Sequence, residues 1–208
     1  MIRDIIIVCK KEFLELKKPI IRLMPMSGLI LLPLLVVAMQ QGGGPDPLLP
    51  ARMIVSVLPS ILGGSIAYEL VRGNIQQERR EKTLEILLIS DLNKYAIVIG
   101  KAIPGSVLGS IIALLGNLIL GFNSEYRALI SLANIVSLPF LIYVMNQASI
   151  SASVLVKDKK SGTFLGVFLI VLLCIPIVLI QNAVICFLFI LFMAFILTTF
   201  STRLLRLV

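Results

Sequence analysis

Six long apolar runs, separated by short polar segments, are the feature that most constrains how this chain can fold. The chain has 208 residues, of which 58% are hydrophobic and 14% are charged, whereas soluble domains carry about 25% charged residues. A helix needs about 20 apolar residues to cross a hydrocarbon layer about 30 Å thick. The sequence therefore predicts an all-α, polytopic membrane protein with a single transmembrane domain over 1–208 and little chain left for a soluble domain.

The six predicted spans follow the apolar runs. Their approximate bounds are 20–39, 50–71, 95–121, 128–156, 163–180 and 183–201. The last two form one block that is too long for a single span at 1.5 Å per residue, and Gln181 and Asn182 divide it. A bend at Pro176 that leaves 177–183 as a re-entrant segment is the alternative.

Residues 1–18 show the periodicity of an amphipathic helix. The apolar side chains fall on one face: Ile2, Ile5, Ile6, Cys9, Phe13 and Leu16. A basic amphipathic helix beside a span typically lies in the headgroup region of the membrane. We therefore predict an N-terminal interfacial helix that contacts the lipid bilayer.

Basic residues define the predicted orientation in the membrane. Seventeen of the 19 lysines and arginines lie in the segments 1–22, 72–101, 157–160 and 203–206, which share one side if six spans alternate. Because basic loops stay cytoplasmic, both termini and the 72–101 segment are expected in the cytoplasm. The same placement, in short runs between apolar segments, argues against a nucleic-acid partner despite the net charge of +8.

The segment between the second and third runs carries the densest charge in the chain. We predict a cytoplasmic helix over 76–93, with Leu84, Leu87, Leu88 and Leu92 on one face and charged side chains on the other. Glu78 and Lys82 have the favourable i,i+4 order, worth a few tenths of a kcal/mol. Ser90, Asp91 and Asn93 provide stop and cap chemistry before the next span.

This segment resembles the permeases of ABC transporters of the type-2 exporter family. In that family a Glu-Lys/Arg-x-Thr-Leu-Glu-x-Leu-Leu segment follows the second span, and a Gly-Lys pair begins the third. The matching positions are Glu81, Lys82, Thr83, Leu84, Glu85, Leu87, Leu88, Gly100 and Lys101. The chain departs from the family pattern twice: Ser90-Asp91 replaces the usual Thr/Ser-Pro, and Lys82 replaces a frequent glycine.

The resemblance implies a half-transporter in the plasma (inner) membrane of a prokaryote. It pairs with a second permease copy, the same chain or a related one, and binds two ABC ATPase subunits. The 76–92 helix is the implied coupling helix, which transmits ATP-driven closure into the membrane. The implied ATPase-coupling residues are Glu78, Arg79, Glu81, Lys82, Thr83, Leu84, Glu85, Leu87 and Leu88, and the span-entry residues are Gly100 and Lys101.

The chain is predicted to have no catalytic residues, cofactor or metal of its own. It contains no Walker A pattern, since Gly100-Lys101 lacks the upstream glycine and is followed by alanine. ATP and Mg are therefore expected on the partner subunit. Three cysteines without a CxxC spacing, and no histidine, argue against a metal site.

Polar residues within predicted spans are the candidates for the transport path or a gate. They are Glu69, Asn117, Asn134, Asn146 and Gln147. For Glu69 the alternative is a local ion pair with Arg72 or Lys101. For the amides the alternative is interhelical hydrogen bonding, worth about 0.6 kcal/mol each.

Three other functions remain open at the level of sequence. A haem-exporter-like subunit of cytochrome c maturation is similarly short and has a related charged loop, although this chain has no histidine. A non-transporting membrane anchor is the second alternative. An intramembrane enzyme is the third, and it is disfavoured because no span carries a carboxylate pair or a histidine. The substrate is not encoded in any of these patterns.

Overall fold

The computed structural model of the protein describes residues 1–15, 48–122, 132–156, 168 and 183–205. Regular structure within these ranges is helical, and they contain no strand. The elements are α1 (Ile2–Glu15), α2 (Leu48–Arg80), α3 (Thr83–Ile89), α4 (Lys94–Gly121), α5 (Leu132–Leu155) and α6 (Ala183–Leu205). The prediction of an all-α protein is confirmed for these residues.

Three of the described helices are long and apolar enough to cross a membrane. Their candidate spans are Lys94–Leu120, Ile135–Leu155 and Val184–Leu205, which correspond to the third, fourth and sixth predicted spans. The second predicted span, 50–71, lies within α2, whose side chains are described from Leu58 onward. The first span, 20–39, and the re-entrant alternative, 177–183, lie largely or wholly outside the described residues, and so does the fifth span, 163–180, except for Phe168.

Helices α2, α4 and α5 pack against one another, and α6 packs mainly against α5. Small residues allow the closest approach: a Cβ added at Gly105 would lie 2.6 Å from a methyl group of Val71, and one added at Gly109 would lie 2.8 Å from the Cβ of Ala67. In lipid, helices associate through such packing rather than through exclusion of water. The small-residue spacing along α4 therefore determines its contact with α2.

Hydrogen bonds between helices supplement this packing. Ser149 of α5 donates to the carbonyl of Tyr68 on α2 at 2.8 Å, and the hydroxyls of Ser151 and Ser201 lie 2.8 Å apart between α5 and α6. Each such bond in a membrane protein contributes about 0.6 kcal/mol. Together they fix the relative rotation of α2, α5 and α6.

Helix α1 packs against α4. Its buried residues are Val8 and Glu12, while Ile2, Ile6 and Phe13 of the predicted apolar face are exposed. The face that contacts the rest of the chain is therefore partly polar. An exposed apolar face remains, as expected of a helix that meets lipid.

Candidate functional site

The charged segment between α2 and α4 contains a sharp break in the helix. α2 ends at Arg80, and Lys82 has φ 58° and ψ 11°, in the left-handed region. This conformation interrupts the regular hydrogen bonding before α3 begins at Thr83. The prediction of one continuous helix over 76–93 is therefore wrong. We call residues 81–91 the elbow.

The inner side of the elbow is held by Leu84. This side chain is 1% exposed and packs in a cluster of apolar residues from four helices: Val71 and Ile75 of α2, Val98 and Ala102 of α4, Ile150 and Val154 of α5, and Leu205 of α6. Leu88 lies against the same cluster and is partly buried. Leu84, predicted to contact an ATPase, therefore anchors the elbow to the helix bundle.

The outer side of the elbow is exposed and mixed in character. Ile86 and Ile89 are 68% and 84% exposed, and they share a face because they lie three residues apart in a helix. Glu81, Lys82 and Glu85 are exposed beside them, while Thr83 and Leu87 are half-buried. The predicted charged surface is present, but its apolar part consists of two isoleucines that the leucine pattern did not reveal.

Arg79, next to the last residue of α2, is turned away from this outer surface. Arg79 donates to the carbonyl oxygens of Ser153 and Val154 at 2.8 and 3.4 Å. These are two of the carbonyls at the end of α5 that lack a partner within the helix. Arg79 therefore caps α5, as a cation near a helix C-terminus is expected to do.

Glu78 is buried and points into the protein. Its carboxylate accepts hydrogen bonds from Lys11 and Lys101 at 2.5 Å each, so the predicted pair with Lys82 does not form. The carboxylate is surrounded by this chain and is not exposed for the predicted contact with an ATPase, so that role of Glu78 stays a prediction. A buried acid needs an internal cation, and Lys101 supplies one.

Lys101 is the centre of a buried charge cluster that joins α1, α2 and α4. Lys101 is 2% exposed, and its ammonium donates to Glu12 at 2.6 Å as well as to Glu78. Asn74 of α2 donates to the other oxygen of Glu12 at 3.1 Å. The predicted span-entry lysine is thus an internal counter-ion for two carboxylates.

Gly100 permits the close approach of α1 on which this cluster depends. A Cβ added at Gly100 would lie 2.7 Å from the Cβ of Val8 and 3.3 Å from the carbonyl oxygen of Ile5. Any side chain there would push α1 away from α4. In the Gly100-Lys101 pair, the glycine therefore lets α1 approach α4 closely, and the lysine binds the carboxylate of Glu12 on α1.

The pKa values within the cluster shift in opposite directions. Burial raises the pKa of Glu12, and its partners Lys101 and Asn74 compensate only in part. Burial also opposes ionisation of Glu78, but Lys101 and Lys11 outweigh it and lower the pKa of that carboxyl. Burial lowers the pKa of Lys11, but Glu78, Glu15 and Glu12 together raise it more, for a net increase. Glu78 is therefore the more firmly ionised of the two acids.

Three carboxylates of this cluster, from Glu12, Glu15 and Glu78, lie within 4.8 Å of one another. Such a grouping can hold a cation. Here Lys101 bridges Glu12 and Glu78, and Lys11 lies 3.7 Å from Glu15 and 2.5 Å from Glu78. We interpret the group as an ion network neutralised by lysine.

A cap that the sequence predicted follows the elbow. The side chain of Asn93 accepts a hydrogen bond from the backbone N–H of Tyr95 at 2.9 Å and begins α4. Ser90 donates to the carbonyl of Leu87 at 2.6 Å at the end of α3. The predicted roles of Ser90 and Asn93 are therefore confirmed, and that of Asp91 stays a prediction.

The candidate path residues lie in packed surroundings. Glu69 pairs with Arg72 at 3.3 Å, which is the local ion pair weighed above. Asn146 is buried and donates to Ser106 and the carbonyl of Ala102 on α4 at 2.8 and 3.3 Å, as interhelical bonding predicts. Asn117 and Gln147 are also buried, while the side chain of Asn134 lies outside the described residues.

Sequence reasoning missed Glu12, Asn74 and Lys11 as parts of this site. Glu12 lies one helical turn after Val8, on the face of α1 that packs against α4. The signal available was a glutamate in phase with apolar positions, which calls for a buried partner. The identity of that partner, 89 positions away in sequence, required the structure.

No protein-family model, curated protein or solved structure matches this chain.

Proposed function

We propose that this chain is the transmembrane permease subunit of an ATP-driven ABC exporter. In this proposal two permeases form the translocation path, and each binds a separate ATPase subunit through the elbow. Six spans with both termini in the cytoplasm would place the elbow on the ATPase side. The proposal rests on the resemblance of residues 81–101 and on the geometry of the elbow.

The observation that carries the proposal is the exposed outer side of the elbow. Ile86 and Ile89 are exposed within the charged segment between α2 and α4. The exposed apolar side chains along the long helices are suited to contact with lipid, but these two lie among charged residues. Burying an isoleucine contributes about 1.5–3 kcal/mol, whereas an exposed ion pair contributes about 0–1 kcal/mol. Two apolar anchors with Glu81 and Glu85 at their edge form the pattern of a protein-binding surface.

The inner side of the elbow supports a coupling role. Leu84 contacts residues of α2, α4, α5 and α6 in one cluster. Because packed interiors transmit displacement rather than absorb it, a push on Ile86 or Ile89 would reach four helices through Leu84. A tethering loop without mechanical function would not need such an anchor.

The division of labour follows from the sequence. A chain without a Walker A pattern needs a partner to bind ATP and Mg. The basic and acidic side chains of the elbow give that partner a charged surface to recognise. The substrate is left open, and the short connections between runs favour a small or hydrophobic one.

Purification from native membranes tests the proposal. We expect a soluble P-loop ATPase, identified by mass spectrometry, in equal ratio with this chain, together with vanadate-sensitive ATP hydrolysis. The paired substitutions Ile86→Asp/Ile89→Asp and Glu81→Lys/Glu85→Lys should each remove the ATPase. Arg203→Glu, an exposed charge reversal at the end of α6, should not.

Two results would contradict the proposal. One is a chain that purifies without an ATPase, as a non-transporting anchor would. The other is an ATPase that remains bound to both elbow variants, since its contact would then lie elsewhere.

A further inference from the structure

We propose that Glu12, Lys101 and Glu78 form a charge latch that keeps α1 docked only while the ammonium of Lys101 balances the two carboxylates. Because Glu78 lies in the last turn of α2, the latch ties α1 to the base of the elbow. The inference does not depend on what binds the elbow.

The latch joins three elements that are distant in sequence. Lys101 lies 89 positions from Glu12 and 23 positions from Glu78, and its Nζ lies 2.6 and 2.5 Å from their carboxylate oxygens. All three side chains are at most 4% exposed. Salt and water therefore screen this contact much less than a surface ion pair.

Helix α1 packs along α4 but buries few of its own side chains within the described residues. Only Val8 and Glu12 are buried along it, and Val8 rests on Gly100. Ile2, Ile6 and Leu14 point away from the bundle and are exposed. The position of α1 therefore depends strongly on the charges around Glu12.

The charge balance explains why Lys101 is the controlling residue. Three helices contribute charged or polar groups to the cluster. Helix α1 contributes Glu12, Lys11 and Glu15, helix α2 contributes Glu78 and the neutral Asn74, and helix α4 contributes Lys101. Without Lys101, the partly exposed Lys11 is the remaining cation for three carboxylates. Two buried carboxylates that share one site repel each other, and α1 relieves the repulsion by moving into water.

The latch links the position of α1 to the position of Glu78 at the end of α2. A displacement of the elbow that shifts Glu78 either carries α1 along through Lys101 or separates the ion pairs. Because α1 also presents an exposed apolar face, a change in its position changes where that face lies relative to the elbow. The device is thus a conformational link between the elbow and the N-terminal helix.

The native thiol of Cys9 provides the readout. It is half-buried on α1, one turn before Glu12, and release of α1 exposes it. The experiment uses the full chain with Cys174→Ser and Cys186→Ser, in detergent, without any ATPase. Maleimide labelling rates are divided by the rate of the same variant in denaturant, which corrects for reactivity in the unfolded chain. In the folded chain, burial and Glu12 raise the pKa of the Cys9 thiol, so distances between nitroxide labels provide a second readout that does not depend on that pKa.

Lys101→Met should label about tenfold faster than the parent, as expected when a local opening becomes easier. Adding Glu12→Gln to Lys101→Met removes the excess negative charge and should return the rate to that of the parent. Lys10→Met removes a charge from an exposed position on the same helix and should leave the rate unchanged. Nitroxide labels on Leu14 and Gln77, both exposed, should show a broader distance distribution only in Lys101→Met.

A parental labelling rate in Lys101→Met overturns the latch, and so does a double variant that labels as fast as Lys101→Met. If Lys101→Met yields no monodisperse protein, the variant that combines Glu12→Gln with Lys101→Met decides alone. The latch then requires that this variant fold and that its Cys9 be labelled at the same rate as in the parent. Loss of the ATPase partner would leave each of these outcomes unchanged.

Discussion

Gly63 of α2 and Gly109 of α4 meet backbone to backbone, since a Cβ added at Gly109 would lie 2.5 Å from the carbonyl oxygen of Gly63. Real Cβ atoms do not come this close to backbone, and neither backbone can move without separating the helices. This contact sets the distance between the two helices that support the elbow.

We predict that Gly63→Ala destabilises the protein while Gly73→Ala does not. The added methyl at Gly63 would meet the backbone of Gly109, whereas Gly73 lies on the same helix with nothing within 4 Å. Overpacking costs about 1–3 kcal/mol, and Gly to Ala in an open helical site gains up to about 1 kcal/mol. Thermal unfolding in detergent, monitored by circular dichroism, measures the stability of both variants. Equal unfolding midpoints would refute the close contact between Gly63 and Gly109.

Arg79→Met should loosen the junction between α2 and α5. The substitution keeps most of the apolar stem but removes the donors to Ser153 and Val154. Hydrogen bonds from charged groups contribute about 1.5–3 kcal/mol, so we expect a lower unfolding midpoint and faster hydrogen exchange at the end of α5. Arg80→Met, at the neighbouring exposed position, is the control. If the two substitutions lowered the unfolding midpoint equally, Arg79 would not be capping α5.

The helices were predictable because their signals are local. Apolar runs of about 20 residues specify spans, and the described spans from Lys94, Ile135 and Val184 follow three of these runs. Asn93 was recognisable as a cap from its position before α4. Each of these features depends on neighbouring residues only.

The site was less predictable because its contacts are not local. The charges of Glu78 and Lys82 form a favourable pair in an unbroken helix, but the left-handed conformation of Lys82 breaks that helix. Glu78 then pairs with Lys101, and Leu84 turns inward. Periodicity assumes one continuous helix and assigned Glu78 to the charged outer face, whereas the structure places it inside, against Lys101.

The two buried acids should respond oppositely to substitution and pH. Because the pKa of Glu78 is lowered by its lysine partners, its ionised form stabilises the folded state, and this contribution is present above pH 4.5 and lost as the pH falls through the lowered value. Because burial raises the pKa of Glu12, the folded state loses stability as the pH rises from 4.5 through the raised value, and the full cost is present above it.

We therefore expect Glu78→Gln to lower the unfolding midpoint at pH 7, by about 2 kcal/mol for a charged hydrogen bond, and the difference from the parent to shrink in acid. Glu12→Gln should be at least as stable as the parent at pH 7, with its advantage disappearing below the raised pKa of Glu12. Unfolding midpoints across the pH range check both, and a larger loss for Glu12→Gln would reverse the assignment.

The break at Lys82 should favour glycine. A residue other than glycine in the left-handed region costs about 1–2 kcal/mol, and a β-branched side chain fits it worst. Lys82 is exposed, and none of its side-chain contacts would be lost within the described part of the chain. Lys82→Gly should therefore be at least as stable as the parent, and Lys82→Val less stable by about 1 kcal/mol or more.

The same pair of variants separates the shape of the elbow from its charge. Both remove the lysine, but only Lys82→Val opposes the turn that brings Leu84 inward and leaves Ile86 outside. If ATPase binding depends on this geometry, Lys82→Gly retains it and Lys82→Val weakens it. Equal loss in both variants would show that the lysine charge, and not the backbone conformation, is what the partner recognises.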